Sequence, residues 1–194
     1  RFDGVTGVQT CALPIWNLVY LYISDGVGGS IICNGQVIDG ENSMAGKFAH
    51  ILVESGGRRC ACGKRGHLES YVSKPAMEEA YFEASGKRLE LPEICRLAGE
   101  GEKAAAAVLK DAIDKLAIGI NQILLVVNPG TLVLYGDLFE SVDGILERLK
   151  QKTKELAFTE EIADNCWMVR ETKNVRIEDS IARLSVERAL EIIV

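Results

Sequence analysis

The sequence predicts one α/β domain. Three observations carry the prediction: short β-type segments separated by glycine turns near the start, one long helix with a clean apolar stripe, and a β-branched segment following that helix across an Asn-Pro-Gly stop. From Asn17 to Ile32 the chain reads Leu-Val-Tyr-Leu-Tyr-Ile, then Ser-Asp-Gly-Val-Gly-Gly-Ser, then Ile-Ile, with Asn34-Gly35 just beyond. Two strands joined through a glycine turn, the second ending in a hairpin at Asn-Gly, satisfy this pattern because those residues tolerate the positive φ of tight hairpins. Gln36 to Ile38 continues as a third short strand, and Ile51 to Glu54 reads as a further strand leading into Gly56-Gly57. Leu68 to Val72 suits a short helix, and Ser73 with Pro75 is a start signal for the next. Leu109, Ile113, Leu116, Ile120, Ile123 and Val127 recur at steps of four and three opposite Lys110, Asp111, Asp114 and Lys115, which defines an amphipathic helix stopped by Asn128-Pro129-Gly130. Thr131 to Tyr135 is a short buried-type strand ended by Gly136-Asp137. Val142, Ile145, Leu149, Thr153 and Leu156 mark another amphipathic helix, Cys166 to Val169 a strand, and Ile181 to Ile193 a closing helix.

Apolar residues make up 47% and charged residues 26% of the chain, the balance of a protein that buries a core, which sets aside disordered and disulfide-stapled classes. No apolar run reaches the roughly 18 residues of a bilayer span, and no secretory h-region is present. The expected location is the cytoplasm. Twenty-two basic against 28 acidic side chains give a net charge of −6, the wrong sign for a surface that neutralises nucleic-acid phosphates. Any DNA contact belongs to another segment.

Residues 5–15, Val-Thr-Gly-Val-Gln-Thr-Cys-Ala-Leu-Pro-Ile, resemble the in-frame translation of a common short-read sequencing adapter. The expectation is that residues 1–16 form no domain, that Cys11 carries no function, and that 17–194 is the downstream part of a longer protein. A natural N-terminal loop is the alternative, since its glycines and Leu-Pro are acceptable turn signals.

Between His50 and His67 the donor residues are spaced His-x9-Cys-x-Cys-x4-His, with Gly63 and Gly66 inside the loop. Thiolates and imidazoles on a glycine-bent loop suit tetrahedral Zn²⁺, and the glycines let the backbone aim four side chains at one point. The reading is a closed, structural zinc site of His50, Cys60, Cys62 and His67 in loop 50–67; free thiols and surface histidines are the alternative. Cys33, Cys95 and Cys166 lie in apolar strand-like or helical contexts and read as core residues. Trp167 and the Ala104 to Ala107 run read as core and helix filler.

The run Gly40-x-Asn42-x-x-Ala45-Gly46-x-x-x-His50, followed by Cys60-x-Cys62-Gly63-x-x-Gly66-x-Leu68-Glu69-x-x-x-Ser73, resembles the signature of the ROK family of sugar-responsive repressors and sugar kinases. Ile118-Gly119-Ile120, Asn128-Pro129 and Leu132-Val133-Leu134-Tyr135-Gly136 resemble the family's later helix and strand. The resemblance implies the C-terminal lobe of an actin-like ATPase (ribonuclease H-like) fold with an inserted zinc loop. It implies sugar contacts from Asn42, His50 and Glu69, with His50 serving zinc as well, and assembly as a homodimer or homotetramer. Turn shaping by Asn42, a purely metal role for His50 and capping by Glu69 are the plainer readings. His67 stands where the family usually has a third Cys, and His is an equally competent ligand.

Departures from the pattern bear on function. The family's usual Ala-Gly-Glu-x-Gly-His appears as Ala45-Gly46-Lys47-Phe48-Ala49-His50, so an acceptor carboxylate has become a donor ammonium at Lys47, a changed member of the sugar-binding set whose plainer reading is a solvent-facing lysine that marks decay of the site. The turn that cradles ATP phosphates in the kinases corresponds to Ser24-Asp25-Gly26-Val27-Gly28-Gly29-Ser30, which places a carboxylate at Asp25. The glycine pair near adenosine corresponds to Tyr135-Gly136, and a small pair near the end to Leu184-Ser185. A nucleotide site built on Gly26, Gly28, Gly29 and Gly136 is therefore expected to be lost, and no residue here reads as catalytic. Asp25 and Asp39 read as turn residues.

The reading that follows is the sugar-sensing and self-association domain of a ROK-type repressor, touching DNA only through a missing N-terminal domain. The alternative is a ROK sugar kinase lacking its N-terminal catalytic lobe. A degenerate, zinc-stabilised interaction module is the third. A helix-turn-helix upstream would select the first; an upstream phosphate-binding strand-turn with an Asn-Asp pair would select the second.

Overall fold

The computed structural model describes residues 17–164 and the backbone of 167–170. Five strands, β1 (Asn17–Ile23), β2 (Val27–Cys33), β3 (Gln36–Val37), β4 (Thr131–Tyr135) and β5 (Trp167–Arg170), form one mixed sheet in the order β3-β2-β1-β4-β5. β1, β2 and β3 pair antiparallel, as the glycine turn and the Asn34-Gly35 hairpin require, whereas β4 joins β1 and β5 joins β4 in parallel. Parallel neighbours need a crossover. α1 (Glu69–Val72), α2 (Lys74–Ser85), α3 (Leu91–Gly99) and α4 (Lys103–Val127) lie between β3 and β4, and α5 (Asp137–Ser141), α6 (Ile145–Leu156) and α7 (Glu160–Asp164) between β4 and β5.

Alternation places Val19, Leu21 and Ile23 of β1 and Leu132 and Leu134 of β4 in the core, where they share one apolar cluster with Leu116, Ile120 and Leu124 of α4 and Leu149 of α6. The helix ends follow local chemistry. Ser73 caps α2 by accepting from the Ala76 N–H, with Pro75 in the first turn, and Gly86 ends that helix in the left-handed region. Glu102 caps α4 by accepting from Ala104 and Ala105, and Asn128, at φ 47°, closes it with an N–H to the Leu124 carbonyl.

Four expectations need correction or completion. Ile51 to Glu54 is not a strand: Leu52 makes a single bridge to His67, because this segment pairs only with the returning arm of its own loop. α3 and α5 are additional elements, α3 carrying Pro92 in its first turn and burying Leu91, Ile94 and Cys95. α6 begins at Ile145, after Gly144 in the left-handed region, so Val142, which the apolar spacing places in this helix, precedes it. Cys33 is exposed at the end of β2, whereas Cys95 is buried as expected. Cys166, the helix from Ile181 to Ile193, Leu184-Ser185 and residues 1–16 fall outside the described residues, as does the Trp167 side chain. Among the described residues no helix is long and apolar enough to cross a membrane.

One glycine in β2 has a steric reason that bears on the site. A Cβ on Gly29 would lie 2.4 Å from the Tyr20 carbonyl oxygen and 2.5 Å from the Phe48 ring, and a Cβ on Gly46 would lie 2.5 Å from the Gly29 carbonyl oxygen. The 46–48 segment therefore seats directly on β2. Gly29→Ala is expected to cost about 1–3 kcal/mol through overpacking, read as a drop of roughly 2–4 °C per kcal/mol in thermal midpoint. Gly28→Ala, where a Cβ meets nothing within 4 Å, is the matched control and should melt as the parent does.

Candidate functional site

The chain from Ile51 to Leu68 is a tight ribbon held by its own backbone. Leu68 N–H donates to the Ile51 carbonyl at 2.9 Å, Val53 N–H to Gly66 at 2.8 Å, Gly66 N–H to Arg58 at 2.8 Å, and Cys60 N–H to Lys64 at 2.8 Å. Gly66, at φ 80°, passes so close that a Cβ would lie 1.6 Å from the Glu54 carbonyl oxygen, and Gly63 turns the tip at φ 86°. These are the two loop glycines singled out in the sequence, and only a residue without a side chain fits at Gly66.

This folding brings the four donors together. The ligand-type atoms of His50, Cys60, Cys62 and His67 all lie within 4.8 Å of one another. Cys62 Sγ is 3.2 Å from His67 Nδ1, and the His50 and His67 rings stand edge to face with centroids 5.2 Å apart. Ligands of a tetrahedral zinc at about 2.0–2.3 Å sit roughly 3.3–3.8 Å from each other, so the cluster is close to the size such an ion requires. Cys60 is buried, and that burial pushes its thiol up. A thiolate at this position needs a cation beside it.

His50 ends a 3₁₀ turn at Phe48–His50, whose Phe48 and Ala49 are buried against the sheet. Glu69 opens α1, and its Oε2 accepts the Val27 N–H at 3.2 Å, so the side chain faces the glycine turn between β1 and β2. Asn42 and Lys47 are exposed, and neither side chain makes a hydrogen bond or ion pair within the described residues. The structure therefore joins His50 to the donor cluster and Glu69 to the glycine turn, and leaves Asn42 and Lys47 open on the segment between β3 and the loop.

The glycine turn carries more acid than its sequence suggested. Asp25 is exposed there, and Ser24 Oγ donates to Asp137, which lies far along the chain just after Gly136. Lys74 N–H donates to the Ser24 carbonyl at 2.8 Å, while its ammonium is engaged by Glu90 at 2.9 Å. Glu90 holds the Lys74 pKa above the usual lysine range, with Glu78 and Asp25 adding smaller attractions. Gly136, at φ 122°, packs against the Ile23 backbone, where a Cβ would lie 1.9 Å from the carbonyl oxygen. Tyr135 stacks on Tyr22 of the adjacent strand, ring centroids 5.8 Å apart. Asp137 and Tyr22 were not singled out in the sequence; the register pairing Tyr22 with Tyr135 is what brings them in.

Comparison with known proteins identifies the class. The family model described as ROK family matches residues 8–176, and the chain belongs to that family. The match begins inside the adapter-like segment, ahead of the described residues. N-acetyl-D-glucosamine kinase of Shigella boydii is 32% identical over 128 residues, covering 61% of this chain and 42% of that protein. Glucokinase of Pyrobaculum calidifontis is 36% identical over 146 residues, covering 69% of this chain and 49% of that protein. The chain thus spans less than half the length of these relatives. Among solved structures, a ROK hexokinase from Thermus thermophilus superposes with a TM-score of 0.74 at 24% identity, over 84% of this chain and 54% of that one. A ROK family transcriptional regulator, a homologue of the E. coli MLC protein, superposes with a TM-score of 0.68 at 23% identity, over 79% and 41%. The mixed sheet is accordingly that of ROK structures, a fold shared by the hexokinase and the transcriptional regulator.

Proposed function

We propose that this chain is the sugar-sensing and self-association domain of a ROK-type transcriptional repressor, part of a longer cytoplasmic protein that reaches DNA through an upstream domain. The observation that carries the reading is the chemistry around the glycine turn. Phosphate cradles present backbone N–H groups and little negative charge. Here Asp25 stands at the turn, Asp137 is bonded to its Ser24, and a stacked tyrosine pair flanks Gly136. The kinase reading rests on a different observation, namely that both curated relatives described above are sugar kinases.

In this proposal His50, Cys60, Cys62 and His67 hold one zinc ion, which fits a donor set of two thiols and two imidazoles. Bound zinc would supply a rigid cross-link rather than a reactive site. His50 links the metal loop to the sugar pocket, and Glu69, with one oxygen engaged by Val27, has the other available to accept a sugar hydroxyl. The family resemblance supports a homodimer or homotetramer.

Lys47 sets the expected ligand class. An ammonium where the family carries a carboxylate loses an acceptor for a neutral sugar and gains an ionic partner for a sugar phosphate or uronate, whose charge-assisted bonds are about twice as strong. Titration of the parent and Lys47→Glu with glucose, xylose, glucose 6-phosphate and glucuronate checks this. The expected result is that the parent prefers the anionic sugars or has lost sugar binding, and that Lys47→Glu weakens any anion preference. Tight binding of a neutral sugar by the parent, unimproved by Lys47→Glu, would overturn the argument.

A further inference from the structure

Besides the apolar Val53 and Leu68, one polar side chain ties the donor loop to the core, and it is none of the four donors. Tyr71 of α1 is buried in the apolar cluster, four residues beyond His67. Its hydroxyl accepts the Arg58 N–H at 2.7 Å and donates to Glu54 Oε2 at 2.5 Å. A Cβ on Gly57 would lie 2.0 Å from that oxygen, so the turn is fitted closely around it. Glu54 and Arg58 both belong to the stretch joining His50 to Cys60, and each is also bound to α4: Lys115 Nζ lies 3.2 Å from Glu54, and Arg58 Nη2 lies 2.8 Å from Asp111. The Arg58 guanidinium and the Lys115 ammonium further approach the Tyr71 ring, at 4.9 and 5.3 Å from its centroid. The Tyr71 hydroxyl holds the Glu54 carboxyl below its usual range, ahead of Lys115, so the pair is a charge-assisted bond at neutral pH.

Four donors on a loop bind an ion tightly only when the loop is held near the bound shape beforehand, because otherwise ordering the backbone subtracts from affinity. We propose that Tyr71 is the positioning residue of the metal centre: its hydroxyl fixes the 54–58 segment, so that His50 on one side and Cys60, Cys62 and His67 on the other converge before metal arrives. The proposal rests on the metal reading of the four donors and adds a residue that touches no ligand atom. Glu54 and Arg58 transmit the hold to α4, which makes Lys115 a second, weaker support.

The experiment is a competition titration of Zn²⁺ and Co²⁺ against a chromophoric chelator on the complete 194-residue chain, for the parent, Tyr71→Phe and Lys115→Met. Outer partners of a metal site change affinity by about tenfold or more, and Tyr71→Phe is expected to weaken both metals by that factor. Lys115→Met should weaken them less. The metal-free melting midpoint of Tyr71→Phe, measured in chelator, should move little, which separates positioning from general support of the core. The Co²⁺ spectrum should remain that of a tetrahedral thiolate site in every variant that binds. Unchanged affinity in Tyr71→Phe would refute the positioning role while leaving the zinc reading intact, as would a loss matched by an equal fall in metal-free stability. A parent that binds neither metal would remove both.

Discussion

Replacing Cys60 with Ser is expected to abolish stoichiometric zinc and to produce the largest stability loss of any single substitution considered. Cys60 is the buried donor of the four, so its loss leaves no compensating side chain on that side of the cluster. Linkage sets the size. An ion present at a thousand times its dissociation constant stabilises the folded chain by about 4 kcal/mol. For a domain of this size that amounts to a fall of roughly 8–16 °C in thermal midpoint, taking about 2–4 °C per kcal/mol. The same shift should follow chelation of the parent, because both changes take the ion from a loop whose Val53 and Leu68 share one apolar cluster with β1, β4, α4 and α6. Amide exchange should rise across 51–68 and little elsewhere. Metal analysis with thermal melts checks the prediction; a zinc-free parent, or equal melting of parent and variant, would contradict it. His67→Ala is a milder version, since that donor is only half buried.

The second large expected effect concerns ATP. The longer protein proposed above should bind no ATP detectable at millimolar concentration, because the turn that would receive phosphate carries Asp25 and, through Ser24, Asp137. A carboxylate about 4 Å from a phosphate charge costs on the order of 4 kcal/mol at an effective dielectric of 20. Asp25 is exposed, so water and salt screen part of that cost, and a weakening of about tenfold or more is expected. Tyr135, stacked on Tyr22, adds bulk at the position where the family resemblance implies adenosine. The double substitution Asp25→Thr with Tyr135→Gly should therefore gain measurable ATP affinity over the parent in a calorimetric titration. Parent binding in the micromolar range would defeat the electrostatic argument.

Much of this architecture was legible in the sequence because its signals are local. Asn34-Gly35 fixed the hairpin, Ser73 and Pro75 the start of α2, and the four-and-three spacing the body of α4. The donor cluster was legible for the same reason: Gly63 and Gly66 marked the bends that close it. What escaped depends on contacts between distant segments. Ile51 to Glu54 has strand composition, but the loop's geometry gives it only its own return arm to pair with. Cys33 looked like core because Ile31 and Ile32 precede it, yet it falls where the strand runs out of cover. Asp137 reaches the glycine turn only through the parallel pairing of β1 and β4, and Tyr71 reaches Glu54 and Arg58 only once α1 is packed. Neither pairing leaves a trace in residue spacing.

The measurement that bears most directly on sensor against enzyme is a coupled assay of ATP-dependent phosphorylation on the protein encoded by the complete gene, run over glucose, N-acetylglucosamine and xylose. No saturable turnover is expected with any of them. Saturable, ATP-dependent phosphorylation of a single hexose would contradict the sensor reading and make this chain the C-terminal lobe of a sugar kinase.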